Sequence, residues 1–125
     1  GKMVDSDNPL PVTPTAAAGL APNNAATTAY ANNLVVKNSA GTLYGIGGHN
    51  SGPVQFLQFF DASSIPGAGA VPVGPIMRIP ATDNFSVDFG GYGMKFNNGI
   101  IVANSTTGPT RTAGAADTWI AARFL

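Results

Sequence analysis

The chain has 125 residues, of which 44% are hydrophobic and 10% are charged, a size typical of one domain with a single core. Six Lys and Arg balance six acidic residues, and without a basic cluster we expect no nucleic acid as a partner. Cys is absent, which excludes disulfides and thiolate metal sites. No apolar run approaches the ~20 residues of a membrane span, so we expect no membrane partner.

The composition favours strands and turns over helices. All six acidic residues are Asp, so the chain lacks the Glu that helical surfaces normally carry. Sixteen Gly and ten Pro supply positive φ angles and fixed turns, and both residues disrupt helices. The near-zero net charge gives little repulsion between copies, which favours a homo-oligomer or a larger assembly.

Residues 1–30 form a segment of distinct composition. Its prolines are clustered, and the first aromatic residue is Tyr30. Such a segment favours extended backbone and has few large apolar groups to offset the entropy of ordering it alone. We predict an extended N-terminal arm that becomes ordered on a neighbouring subunit; the alternative is a tail or linker without that role. Acidic residues near its start argue against a secretion signal.

Beyond the arm, short apolar runs alternate with turn residues, as in antiparallel β-domains. Residues 33–38 and 43–49 flank a turn and are predicted to form a hairpin. Residues 54–61 carry large apolar groups on both faces, which predicts a central strand. Strict alternation over residues 85–89 predicts a half-buried strand with Ser86 and Asp88 facing outward. Further strands are predicted at residues 75–79, 94–96, 100–104 and 118–125.

These strands predict an all-β domain, an antiparallel β-sandwich or jelly-roll-like fold over residues 31–125, with the extended arm at residues 1–30. The predicted core consists of large apolar side chains on the strands: Val36, Tyr44, Ile46, Phe56, Leu57, Phe59, Ile76, Phe85, Val87, Phe89, Ile100, Val102, Trp119 and Ile120.

Few residues suggest chemistry. His49 is the only histidine, and without a supporting Ser or Asp spacing we interpret it as a polar loop residue. Gly-rich runs at residues 45–48 and 90–93 lack the helix of a phosphate loop and are interpreted as bends or bulges. Four aspartates could offer oxygen ligands to Ca²⁺, but we interpret them as turn residues because none lies in a calcium loop: Asp61, Asp83, Asp88 and Asp117. The sequence therefore predicts a non-enzymatic protein with no catalytic residue, cofactor or metal.

Several segments resemble small virion and prophage proteins of tailed bacteriophages. The likeness spans roughly residues 30–124 and rests on ANNLVVK at 31–37, QFFDAS at 58–63, GAVPV at 69–73, GIIVANSTTGPT at 99–110 and ADTW at 116–119. The resemblance implies a structural protein of the virion and supplies no catalytic residues.

A compact β-domain with an arm suits a capsid decoration, or cement, protein, which stabilises a shell by burying area across several subunits. The expected partners are the major capsid protein and copies of the chain itself. We expect intersubunit contacts at five apolar or aromatic residues: Leu10, Val12, Leu20, Tyr30 and Leu34.

Two other functions stay open. In a tail, fibre or spike component, residues 62–70 and 105–116 would be exposed loops that meet a host surface. A carbohydrate-binding module would need exposed aromatic platforms, for which the chain offers four residues that we interpret as core or core edge: Tyr30, Tyr44, Tyr92 and Trp119.

Overall fold

A computed structural model describes residues 21–125 and shows an all-β sandwich of two antiparallel sheets, which confirms the predicted fold class. No helix that could span a membrane occurs in this range. The described strands are β1 (Asn23–Ala26), β2 (Asn33–Lys37), β3 (Gly41–Asn50), β4 (Gln55–Asp61), β5 (Val73–Ile79), β6 (Asp83–Asp88), β7 (Met94–Phe96), β8 (Ile100–Ser105) and β9 (Thr118–Phe124).

The two sheets divide the strands almost equally. Sheet A has the order β1-β9-β3-β6, and β7 pairs with the first residues of β3 on the side that β6 occupies further along. Sheet B has the order β2-β8-β4-β5. Edge strands β1 and β2 lie next to each other on one side of the sandwich, and β5 and β6 lie next to each other on the opposite side.

The core lies between the inner faces of the sheets. Sheet A contributes Leu43 and Ile120, and sheet B contributes Leu57 and Phe59, all wholly buried. Each such side chain contributes about 1.5–3 kcal/mol of gross transfer free energy. The remaining buried members of this cluster are Val36, Ile46, Ile79, Phe85, Phe96, Ile100, Val102 and Ala122.

Strand β4 is central, as its two apolar faces predicted. It pairs with β8 on one side and β5 on the other. Its outward residue Phe60 packs with Ile101 and Ala103 in a second buried cluster, against which Ala62 and Ala70 lie. The outer face of sheet B is therefore covered in part by the segment that follows β4.

The predicted hairpin between residues 33–38 and 43–49 is wrong. Strand β2 pairs with β8 in sheet B, whereas β3 pairs with β9, β6 and β7 in sheet A. The intervening turn carries the chain from one sheet to the other. Gly41 makes this possible, because a Cβ there would collide with the carbonyl oxygen of Leu125.

The start of the sandwich also differs from the predicted boundary at residue 30. Strand β1 lies within the segment assigned to the arm and pairs with β9. The backbone N–H of Thr27 donates to the Ile120 carbonyl at 2.9 Å, and that of Ala31 to the Thr118 carbonyl at 2.9 Å. Asn and Ala are depleted in strands, so backbone hydrogen bonds to β9 hold this segment in the sheet.

Several predicted core residues are not in the core. Trp119 and Ile76 are exposed, and Tyr44 and Phe56 are only half-buried. Trp119 faces outward because its neighbours Thr118 and Ile120 both point inward, and successive side chains of a strand alternate. The sequence analysis predicted a buried indole because of its size. In the structure, the side chain of Thr118 instead lies on the inner face of β9.

Candidate functional site

The outer face of sheet A carries a groove whose floor is made of small residues. Strand register places Ala26, Ala121, Gly47 and Ser86 side by side across the four strands. Together with the taller side chains of Asn24, Arg123 and Asp88 on one side, this row lines a groove of about 560 Å³. We call this groove the trough.

Beyond one end of the trough lies an aromatic row, whose residues do not line the groove itself. Trp119 is the strand partner of His49, which is in turn the partner of Asn84. The His49 Nδ1 and Asn84 Oδ1 atoms lie 2.7 Å apart, and the ring of Tyr30 lies 6.4 Å from that of His49, measured between centroids. His49 is thus a strand residue within a polar and aromatic row, not the loop residue that the sequence suggested.

The other end of the trough is charged. Asn24, Arg123, Gly45 and Asp88 form the corresponding row. The guanidinium of Arg123 lies over Gly45, because a Cβ at that position would be 2.5 Å from an Arg123 terminal nitrogen. Asp88 Oδ1 accepts the Gly90 N–H at 2.8 Å. This end therefore presents one cation and one anion.

A second groove runs along the edge of the sandwich between β1 and β2. It has a volume of about 360 Å³ and is lined by residues 26–31 and 33–35. Two of the predicted contact residues, Tyr30 and Leu34, meet here beside the exposed side chain of Val35. We call this the edge groove. The other predicted contact residues, Leu10, Val12 and Leu20, lie outside the described residues.

The two segments proposed as host-facing loops pack on each other. Gly69 N donates to the Arg111 carbonyl and Arg111 N to the Ala70 carbonyl, both at 2.8 Å. The side chain of Arg111 is buried and donates from Nη1 to the Pro66 carbonyl at 3.1 Å. Gln58 Nε2 also donates to the Gly108 carbonyl at 2.6 Å. These hydrogen bonds hold the two loops together as a layer over sheet B.

A buried polar network joins the two sheets near the end of β3. Gln55 Nε2 donates to Asn50 Oδ1 and to Asp117 Oδ1, each at 2.8 Å. Asn104 Nδ2 donates to Thr118 Oγ1 at 3.1 Å. Buried polar groups must be paired to avoid a desolvation penalty of about 1–3 kcal/mol each, so this network fixes the relative position of the strands that carry it.

The four aspartates considered for calcium binding lie apart. Asp61 accepts the backbone N–H groups of Asn97 and Asn98, and hydrogen bonding from Asn98 above all lowers its pKa. Asp83 and Asp88 accept local backbone N–H groups, and Asp117 belongs to the buried network. Within residues 21–125, no three His, Cys, Asp or Glu side chains come together as metal ligands.

The two glycine-rich runs have different roles. Residues 45–48 belong to β3, where they shape both faces of sheet A. Residues 90–93 form the turn between β6 and β7, in which Gly90 and Gly93 have positive φ. Neither run precedes a helix in the described part of the chain.

The trough is the site that sequence reasoning missed. Its signal was present in residues 118–124, where apolar Ile120 and Ala122 alternate with Trp119, Ala121 and Arg123. The chain matched no protein-family model, no curated protein and no solved structure.

Proposed function

We propose that the protein is a non-enzymatic structural subunit that attaches to a larger protein assembly through the edge groove. Following the sequence resemblance, we propose a tailed-phage virion as that assembly and a capsid decoration protein as the role. The partners would be the major capsid protein and copies of the chain itself. The observation that carries the proposal is the meeting of Tyr30 and Leu34 at an open edge of the sandwich.

The edge groove has the properties of a protein contact surface. Tyr30 is 50% exposed and Val35 is 41% exposed, so each would lose much apolar surface to a partner. Tyrosine is enriched at interface centres because a large ring combines apolar area with one polar handle. Within residues 21–125, β1 and β2 are edge strands, and edge strands can pair with strands of a partner.

The chain enters the described fold at this same edge. Ala21 and Pro22 precede β1, an edge strand whose last residue, Ala26, lines the edge groove. We propose that Leu10, Val12 and Leu20 extend the contact onto a neighbouring subunit. A segment that orders on binding loses entropy but covers a long surface, and repeated weak contacts around a shell add up by mass action.

Exchange of one exposed tyrosine tests the proposal. The Tyr30→Ser variant is expected to co-sediment at least tenfold less with purified phage capsids that lack the protein, a loss of about 1.4 kcal/mol of binding free energy. The Tyr92→Ser variant is the matched control, because Tyr92 is 99% exposed and lies outside the edge groove.

Wild-type protein that fails to bind these capsids, or equal binding of Tyr30→Ser and wild type, would contradict the proposal. Electron cryomicroscopy of the intact particle provides a second measurement. A decoration protein is expected at many symmetric positions, whereas only a few copies at the tail would assign it to the tail.

A further inference from the structure

We infer that the trough on the outer face of sheet A binds a short neutral oligosaccharide. The inference does not rest on the proposed attachment, since the trough and the edge groove share only Ala26 among their described lining residues. The ligand would lie between the aromatic row at Trp119 and the charged row at Arg123.

The shape of the trough suits an elongated ligand. Its floor has almost no side-chain height, because Gly47, Ala121 and Ala26 occupy neighbouring strands. Outward residues on one strand repeat every ~6.8 Å, so the aromatic and charged rows, two repeats apart, are separated by about 14 Å. The floor row lies midway between them, and a short oligosaccharide chain can lie across it.

The aromatic row supplies an apolar platform. One face of a pyranose ring presents C–H groups, which pack against an aromatic ring. Trp119 is 38% exposed, and Ala121 and Gly47 in the adjacent floor row have little or no side chain, so a ligand that extends past the floor row can cover the indole. Thr118 and Ile120, on either side of Trp119, fill the inner positions of the strand. Packing of the core therefore does not require an indole at position 119.

The remaining side chains match sugar hydroxyls, which both donate and accept hydrogen bonds. Ser86 is exposed at the end of the floor row and can do either. The Asn84 Oδ1 atom faces His49 Nδ1. The amide nitrogen of the Asn84 side chain can therefore donate a hydrogen bond to a sugar hydroxyl. At the opposite end, the planar groups of Arg123 and Asp88 can each bind two neighbouring hydroxyls.

The charges of the trough favour a neutral ligand. Among the described residues that line it, the charged side chains are Arg123 and Asp88, and their charges cancel. A nucleic acid or another polyanion would need several cations. A protein partner would need about 800 Å² of complementary surface with an apolar centre, whereas this floor is a narrow row of small residues beside a charged row.

The test uses the full chain and its single Trp, which makes intrinsic fluorescence a direct report on Trp119. Soluble gluco-, manno-, galacto- and chito-oligosaccharides are titrated, with calorimetry for variants that lack Trp. At least one neutral oligosaccharide is expected to give a saturable change, and a heparin oligosaccharide is expected to give none. Trp119→Ala is expected to weaken calorimetric binding about tenfold, and Trp119→Phe is expected to restore part of it.

A second variant fills the floor without touching the aromatic row. A Cβ at Gly47 would be 3.4 Å from its nearest neighbour, the Phe85 carbonyl oxygen, so Gly47→Val is expected to fold and to lose binding. Tyr92→Ala, outside the trough, is expected to bind as wild type, and thermal melts check that each variant is folded.

Three results would overturn the inference. The first is a folded wild-type protein that binds none of the neutral oligosaccharides, and the second is binding that survives both Trp119→Ala and Gly47→Val. The third is a blue shift of Trp fluorescence that grows with protein concentration and disappears in Gly47→Val, which would assign the face to a second copy of the chain.

Discussion

At the residue scale, two adjacent glycines of β3 show how position decides what a glycine does. Gly48 faces the interior, where a Cβ would collide with the carbonyl oxygen of Trp119 and lie 2.8 Å from the ring of Phe85. Gly47 faces the trough, where a Cβ would meet ordinary contact distances. The first glycine permits the close approach of β3 and β9, and the second leaves the floor of the trough open.

We therefore predict opposite outcomes for alanine at these two positions. Gly48→Ala is expected to lower the free energy of unfolding by about 3 kcal/mol, because backbone must move to admit the methyl group. Gly47→Ala is expected to change it by less than about 1 kcal/mol, since alanine also restricts the unfolded chain. Urea denaturation of both variants measures the difference, and equal destabilisation would contradict the geometry.

At the element scale, Asp61 joins the end of β4 to the turn between β7 and β8. Its Oδ1 accepts the N–H of Asn97 at 3.0 Å and that of Asn98 at 2.7 Å. Gly99 completes the turn, and a Cβ there would collide with the Ala62 carbonyl. One carboxylate thus satisfies backbone donors that no strand partner reaches.

This arrangement predicts a specific pH dependence of stability. Hydrogen bonding, chiefly from Asn98, lowers the pKa of Asp61 below its ordinary value of 3.8. The stabilisation is therefore fully present above that value and is lost as pH falls through the lower pKa of the folded state.

Asp61→Asn is expected to melt below wild type at neutral pH, and the two melting temperatures are expected to converge in acid. Thermal melts from about pH 7 to pH 2 measure this. Asp83→Asn, which removes a carboxylate bonded to the adjacent Asn84 N–H, is the control. A gap between wild type and Asp61→Asn that stayed constant with pH would refute the carboxylate's role.

At the scale of the whole molecule, every described strand pairing lies within residues 23–124. The first pairing joins Asn23 to Phe124, so both ends of the sandwich meet in sheet A. The N–H of Thr42 also donates to the Leu125 carbonyl at 2.9 Å. Contacts distant in sequence thus close the fold.

Removal of residues 1–20 is predicted to separate folding from attachment. The shortened chain keeps β1 and is expected to retain the β-type circular dichroism spectrum and a melting temperature within a few degrees of wild type. Its binding to capsids is expected to fall at least as far as that of Tyr30→Ser. As a control, removal of residues 1–27 also deletes β1 and is expected to destabilise the sandwich. Unchanged capsid binding after removal of residues 1–20 would argue against an attaching arm.

The sequence by itself determined the fold class and most of the inner face. The period of two in β6, the absence of helix-forming patterns and the frequent turn residues required strands, since alternation and backbone restriction act locally. The same local signals placed Leu57, Phe59 and Val102 in the core. They also directed Ser86 and Asp88 outward, where both now line the trough.

Only the tertiary structure decided which strands pair and what the outer faces display. The hairpin prediction for β2 and β3 failed because turn residues allow a reversal but do not choose between a neighbour and a crossing to the other sheet. Trp119 was predicted in the core because the sequence does not show which face of β9 points inward. The register of β9 with β3, together with the buried network at Thr118, decides this. The trough exists only when residues from four strands, far apart in the chain, are brought into rows, and this requires the complete sheet.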